Sequence, residues 1–306
     1  MEILKVMVVL FITMVVGYAA RKLKYMDDGF DKKLSCILVD ITMPLLVLSS
    51  AMGHDVPDRS IILPLVGVGV LTYIILLSFG FLVPRLISKD NEERGMIGFT
   101  LMFSNASFIG YYVVDSMFGA KGLFCASILN IPYFFILFTI GVMLIKGKCR
   151  LKEFDFKILR SPIMVAAYIS ATLVALKVET PEMVARPIKM IGGITIPAAL
   201  LLIGSSMAKM SVKDILGLPK AYIATAIRLI IVPTCIYSIF RVLGINPLIN
   251  NINTVLMATP AASLGTIFCL KYDRDPTLVT AITFISILGC HITIPLLNII
   301  FSQLGA

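Results

Sequence analysis

Two short stretches, set in otherwise apolar surroundings, carry residue types that recognise small ligands. They are Ser104-Asn105-Ala106-Ser107-Phe108-Ile109-Gly110 and Thr259-Pro260-Ala261-Ala262-Ser263-Leu264-Gly265. Both concentrate small and polar residues, and in the second a proline removes a backbone donor. Asn105, Ser107, Thr259 and Ser263 are neutral side chains with protons to donate, the chemistry that holds a carboxylate without a fixed charge. Ionisable groups inside apolar runs are costly and usually face a cavity or a partner, and three of them invite a functional reading. Asp40 stands four residues before Pro44, one turn away on the same helix face; it suits a proton or sodium relay, or is a solvated acid near the interface. Arg228 suits attraction of a carboxylate, pairing with an acid, or snorkelling toward headgroups. His291, two residues before Thr293, is a packed neutral histidine or part of a pH-sensitive gate. Asp115 lies close to a span's outer end and His54 in an outer loop, so neither needs a function.

No P-loop, H-E-x-x-H or G-x-S-x-G motif occurs, so ATP hydrolysis and covalent catalysis have no support and no catalytic residue is expected. The six cysteines include no C-x-x-C pair, and five lie in apolar runs, where Cys acts as a small hydrophobe. Neither a disulfide framework nor a metal site follows, and no cofactor is expected beyond a coupling proton or sodium ion.

The elements that hold these residues are membrane helices. Of 306 residues 58% are hydrophobic and only 15% charged, against about a quarter charged in an ordinary soluble domain. Mean hydropathy is +0.96. A water-soluble fold must present a polar exterior, which this composition cannot cover. A cytosolic enzyme, a disordered regulator and a disulfide-stapled secreted domain are thereby excluded. Met1 to Arg21 superficially resembles a signal peptide, but Glu2 interrupts its positive start and it reads as a retained first helix. A crossing needs about 20 apolar residues. Ten runs qualify: 3–20, 34–52, 61–84, 95–118, 121–145, 162–177, 187–208, 221–243, 254–270 and 277–301.

The net charge of +9 sets orientation rather than marking a nucleic-acid partner. Nineteen of the 27 Lys and Arg fall in the connections 21–33, 85–94, 146–160, 209–220 and 271–276, and seven on the other side. The positive-inside rule then places both termini outside and the 146–160 loop, with Cys149, in the cytoplasm. That loop divides the chain into repeats 1–145 and 161–306, and five spans in each give the second the opposite orientation. Ile41-Thr42-Met43-Pro44 recurs as Ile194-Thr195-Ile196-Pro197. Leu101-Met102 with Ala106 and Gly110 recurs as Leu256-Met257 with Ala261 and Gly265, and Leu63-Pro64 as Leu218-Pro219. An inverted repeat of this kind is typical of secondary transporters.

The run Val255 to Ala262, then Lys271-Tyr272-Asp273 and Ile292-Thr293-Ile294-Pro295, resembles the auxin efflux carrier family, which includes plant PIN exporters and bacterial permeases annotated for malate or malonate. Asn105, Phe108 and Gly110 look like its span-four motif, Pro44 like its span-two proline, and Asn130 like a polar position in span five. The chain differs at Tyr111-Tyr112, Thr259 and Asp40. The resemblance implies an all-α ten-helix fold in which broken helices four and nine cross at the substrate site. It also implies a scaffold of spans one, two, six and seven that often forms a homodimer, and elevator-like movement of the rest. The expected function is secondary transport of small organic anions across the cell membrane, with Thr42, Pro44, Asn105, Ser107, Gly110, Asn130, Thr195, Pro197 and residues 259–263 and Gly265 forming the site. A cation/proton antiporter is the first rival, and acids near the interruptions would favour it; residues 104–110 and 259–265 contain none. A receptor or scaffold protein is the second, and no run outside the spans is long enough for a sensory domain.

Overall fold

The computed structural model describes residues 2–50, 52, 61–147, 160–176, 178, 180–209 and 217–304. Cys149 and His54 lie outside them. Among the described residues there are helices and no strands, with one isolated antiparallel bridge. In lipid a helix satisfies its own backbone, which is why apolar sequences of this kind fold this way.

The first half opens with α1 (Glu2–Lys22), then α2 (Asp28–Ile37) and α3 (Met43–Ser50), joined by a π-turn at Leu38–Thr42. Asp27 caps α2 by accepting from Phe30 N at 2.7 Å. α4 (Ile62–Ile87) runs unbroken; α5 (Asn91–Met102) is capped by Asp90, which accepts from Glu93 N at 2.9 Å. A second π-turn (Ala106–Gly110) leads into α6 (Tyr111–Leu129). α6 is kinked at Gly119, whose φ of +64° suits a residue without a side chain. Then come α7 (Ile131–Ile136), a π-turn (Leu137–Gly141) and α8 (Val142–Ile145).

The second half comprises α9 (Pro162–Leu176), α10 (Glu182–Gly193), α11 (Thr195–Lys209) and α12 (Pro219–Ala226). A π-turn (Ile227–Ile231) links α12 to α13 (Val232–Val242), and α14 (Pro247–Ala258), α15 (Leu264–Lys271) and α16 (Thr277–Leu304) follow. Five stretches are long and apolar enough to cross a membrane as described: Ile62–Ile87, Lys121–Ile145, Glu182–Lys209, Pro219–Val242 and Thr277–Leu297. Their outer faces carry exposed Leu63, Leu86, Met183, Val242 and Ile292. In water that surface would aggregate; in hydrocarbon it is at home.

The most extensive packing falls in two sets of helix pairs, with α2 and α11 also packed against α15. In one, α1 lies along α11, and α3 packs against α9 and α10. The first seam brings backbones together: a Cβ on Gly204 would stand 2.0 Å from Met14 O, and one on Gly17 2.2 Å from Leu201 O. Small residues at such seams are how membrane helices gain dispersion contact without a hydrophobic drive. In the other group α4 packs on α5, α13 on α14, α12 on α16 and α14 on α6.

Candidate functional site

The two polar stretches of the sequence are where helices stop. α5 ends at Met102, and Phe103 and Asn105 leave helical geometry. α14 ends at Ala258, Thr259 is extended, and α15 begins at Leu264. The loosened segments meet. Ser104 and Ala261 form an antiparallel bridge in which Asn105 N donates to Pro260 O at 2.8 Å and Ala262 N to Phe103 O at 2.9 Å. Ala261 N donates to Ser286 Oγ on α16 at 3.1 Å. Each interruption thus supplies backbone partners that the other has lost, as burial in an apolar medium demands.

Beside the bridge lies a cavity of about 180 Å³. Ser49, Asn105, Tyr111, Tyr133, Thr195 and Ser263 are polar residues of its wall, with apolar ones such as Met43 and Phe134. Among the described residues no charged side chain lines it. Asn105 Nδ2 donates to Ser263 Oγ at 3.3 Å, so the two interruptions also meet through side chains. Asn105 precedes the helical turns that start at Ala106, and Ser263 precedes α15. Two helix N-termini therefore open at the cavity, while no residue of α5 or α14 lines it. N-termini present free N–H groups and a partial positive charge, which favour an anion. A cavity of about 150 Å³ holds benzene, so this one admits a ligand of that size class.

Other expected residues have different partners. Thr195 Oγ1 donates to Thr42 Oγ1 at 2.8 Å, joining the paired motifs 153 residues apart. Thr259 Oγ1 donates to Leu256 O at 2.7 Å, so its proton is committed to its own helix. Gly265 is packed under Val279 and Phe99, and Gly110 faces Leu256 and Thr259. Pro44 is buried, Pro197 exposed, and Asn130 buried at the turn between α6 and α7, away from the cavity lining. The side chain of Ser107 lies outside what is described.

Asp40, Arg228 and His291 stand apart from the cavity wall. Asp40 accepts from Lys271 Nζ at 2.5 Å with its side chain 49% exposed. Lys32 Nζ joins Asp273 nearby at 2.7 Å, so two ion pairs tie the α2–α3 segment to the chain around α15. His291 Nδ1 lies 2.8 Å from Ile287 O. Arg228, in the π-turn between α12 and α13, is wholly buried and does not snorkel. Its Nη1 donates to Leu101 O in the last turn of α5 at 3.4 Å, and among the described residues its Nε and Nη2 have no hydrogen-bond partner. Sequence reasoning passed over Tyr133 and Ser286, one an ordinary packing aromatic and the other a lone serine in an apolar helix. It also passed over Asp31, which is fully buried between Arg21 and Ser205 and links α1, α2 and α11.

Apolar helices with bonded interruptions around a small cavity are the build of a multi-pass membrane transport protein. A family model described as "membrane transport protein" matches residues 2–154 and 148–298, and the chain belongs to that family, the auxin efflux carriers. An uncharacterized transporter of Methanocaldococcus jannaschii is 23% identical over 295 residues, covering 92% of this chain and 93% of the relative. An uncharacterized transporter of Methanothermobacter thermautotrophicus is 18% identical over 291 residues, covering 94% of this chain and 95% of the relative.

Proposed function

We propose that the protein is a secondary active transporter of small organic anions, carboxylates in the first place, with its site in the cavity beside the bridge. The observation that carries this reading is the wall of that cavity: two helix N-termini, donors on Asn105 and Ser263, and among the described residues no carboxylate. A cation/proton antiporter would need acids there, and nothing in the wall favours it.

In this reading the chain is ten spans in two inverted repeats, 1–145 and 161–306, joined by a cytoplasmic linker at 146–160. Two contacts support it. Thr42 touches Thr195, its counterpart in the repeat, and Asn105 bonds Pro260, its counterpart 155 residues on. When sequence-equivalent residues touch, a two-fold axis passing between them is the simplest geometry. The group containing α1, α3 and α9–α11 is the scaffold, and a homodimer forms through it in the cell membrane with both termini outside. The other group carries the bridge and slides against the scaffold as an elevator, driven by a proton or sodium gradient.

Reconstituted protein should take up one or more mono- or dicarboxylates under an imposed proton or sodium gradient. Ser78→Ala and Ser238→Ala, remote from the interruptions, should behave as wild type, whereas Asn105→Ala should not. Gradient-driven uptake of inorganic cations with no response to carboxylates would overturn the reading.

A further inference from the structure

Arg228 is a positive charge wholly buried in the protein within an apolar span, and among the described residues nothing of opposite sign bonds to it. Among the described residues no carboxylate pairs with it. Burying an unpaired ion is strongly unfavourable, so such a charge is kept only where something gains from it. A purely structural cap of α5 would not need a cation, since a neutral donor could serve Leu101 O as well.

The balance of helix ends shows what the charge does. Each terminus carries a partial charge of about half an electron, positive at the N-terminus and negative at the C-terminus. At the bridge the two N-termini that open at the cavity are backed by two C-termini, which offset part of their positive field. Arg228 sits against the C-terminus of α5 and adds one positive charge on that side. Leu101 is two residues before Phe103, whose carbonyl accepts from Ala262 N in the bridge, and Ala262 lines the cavity, so the charge stands beside the site without the guanidinium entering it. The position 155 residues earlier is the neutral Tyr73, so the charge is not part of the repeated framework.

We propose that Arg228 determines the charge selectivity of the cavity: it offsets the negative end of α5 and leaves the site positive, so that anions are preferred over neutral molecules of the same shape. The proposal rests on the transport reading above and names the residue that makes its site anion-selective. Arg228 is a positioning charge and does not touch the ligand. A unit charge acting over ~10 Å at an effective dielectric of ~20 is worth about tenfold in affinity.

The test uses full-length purified protein and three acid–amide pairs: malonate with malonamide, succinate with succinamide, benzoate with benzamide. Binding is read from ligand-induced shifts in melting temperature and from uptake into liposomes. Wild type should prefer at least one acid over its amide. Arg228→Lys should keep the preference, and Arg228→Gln should lose about tenfold for the acid with amide binding unchanged. Without ligand, Arg228→Met should melt at or above the wild-type temperature, because an apolar side chain relieves an unpaired buried charge. Arg228→Gln with the wild-type acid-over-amide ratio overturns the proposal and leaves the transport reading standing. Equal losses for acids and amides, with a less stable ligand-free Arg228→Met, overturn it in favour of a plain helix cap. A wild type that binds acids and amides alike, or neither, overturns both.

Discussion

The two interruptions do the same job by different means. The break at 259–263 contains Pro260, which cannot donate and would stop a helix in isolation. The break at 103–105 contains no proline, and nothing local forbids a helix through Phe103-Ser104-Asn105. It stays open because its backbone is bonded to the other break: Asn105 N to Pro260 O, and Phe103 O to Ala262 N. One interruption is thus encoded in its own residues and the other in the encounter. A fold can acquire a pair of broken helices by breaking only one of them locally.

The sharpest test of this contrast is the residue common to bridge and cavity. Asn105→Ala leaves the main-chain bond to Pro260 but removes the amide from the wall. A hydrogen bond to a charged group is worth about 1.5–3 kcal/mol, so ligand affinity should fall ten- to a hundredfold with little change in melting temperature. Wild-type binding and uptake in this variant would move the site elsewhere.

The equivalent glycines of the two breaks should differ next. A Cβ at Gly265 would lie 2.6 Å from Val279 Cγ1 and 2.8 Å from Phe99 Cε1. Overpacking of that kind costs about 1–3 kcal/mol, so Gly265→Ala should lower the melting temperature clearly. At Gly110 the nearest atom is Leu256 Cδ2 at 3.0 Å, the end of a flexible side chain, and Gly110→Ala should cost less. Equal losses would show that the two breaks are packed more alike than their neighbours suggest.

Pro260→Ala probes the local half of the contrast. A free helix would close up on losing its proline, but here the bonds to Asn105, Phe103 and Ser286 remain. Uptake should therefore fall less than in Asn105→Ala; abolished uptake would mean that proline alone holds the break.

The smallest effect lies at the far end of α5. Glu93, in the connection before the span, is bonded to Ser88 and pairs with Lys220 at 2.5 Å, and these partners hold its carboxyl below the usual range. A depressed acid stabilises the fold above its unfolded pKa, and the contribution is lost as pH falls through the lower folded value. The pair is well exposed, so about 0.5 kcal/mol is expected. Glu93→Gln should lower the melting temperature slightly at pH 7 and leave it closer to wild type in acid, below the carboxylate range. An equal loss at both values would assign Glu93 a role without charge.

Much of this was legible in the residues. Apolar runs bounded by charge and proline located the five long apolar stretches, because hydrocarbon leaves few alternatives for a backbone. The polar stretches located both breaks, and the recurrence of Ile-Thr-x-Pro anticipated two motifs that turn out to touch through Thr42 and Thr195. The pairing of the breaks was not legible, since a bridge between residues 104 and 261 depends on tertiary approach. Nor was the placing of Tyr133 and Ser286, whose types are common in any membrane helix. Arg228 looked able to reach headgroups, but the π-turn that carries it is packed among helices and leaves no path outward.

The seam between α1 and α11 bears on how the molecule can move. At Gly17 and Gly204 main chain rests on main chain, with no side chain to change rotamer and absorb a displacement. Such a joint behaves as a weld, and strain applied to it passes straight through. The walls of the cavity, by contrast, are side chains that can re-pack past one another. Spin labels on α1 and α11 would thus form a ruler of constant length, against which the stroke of any other helix can be measured.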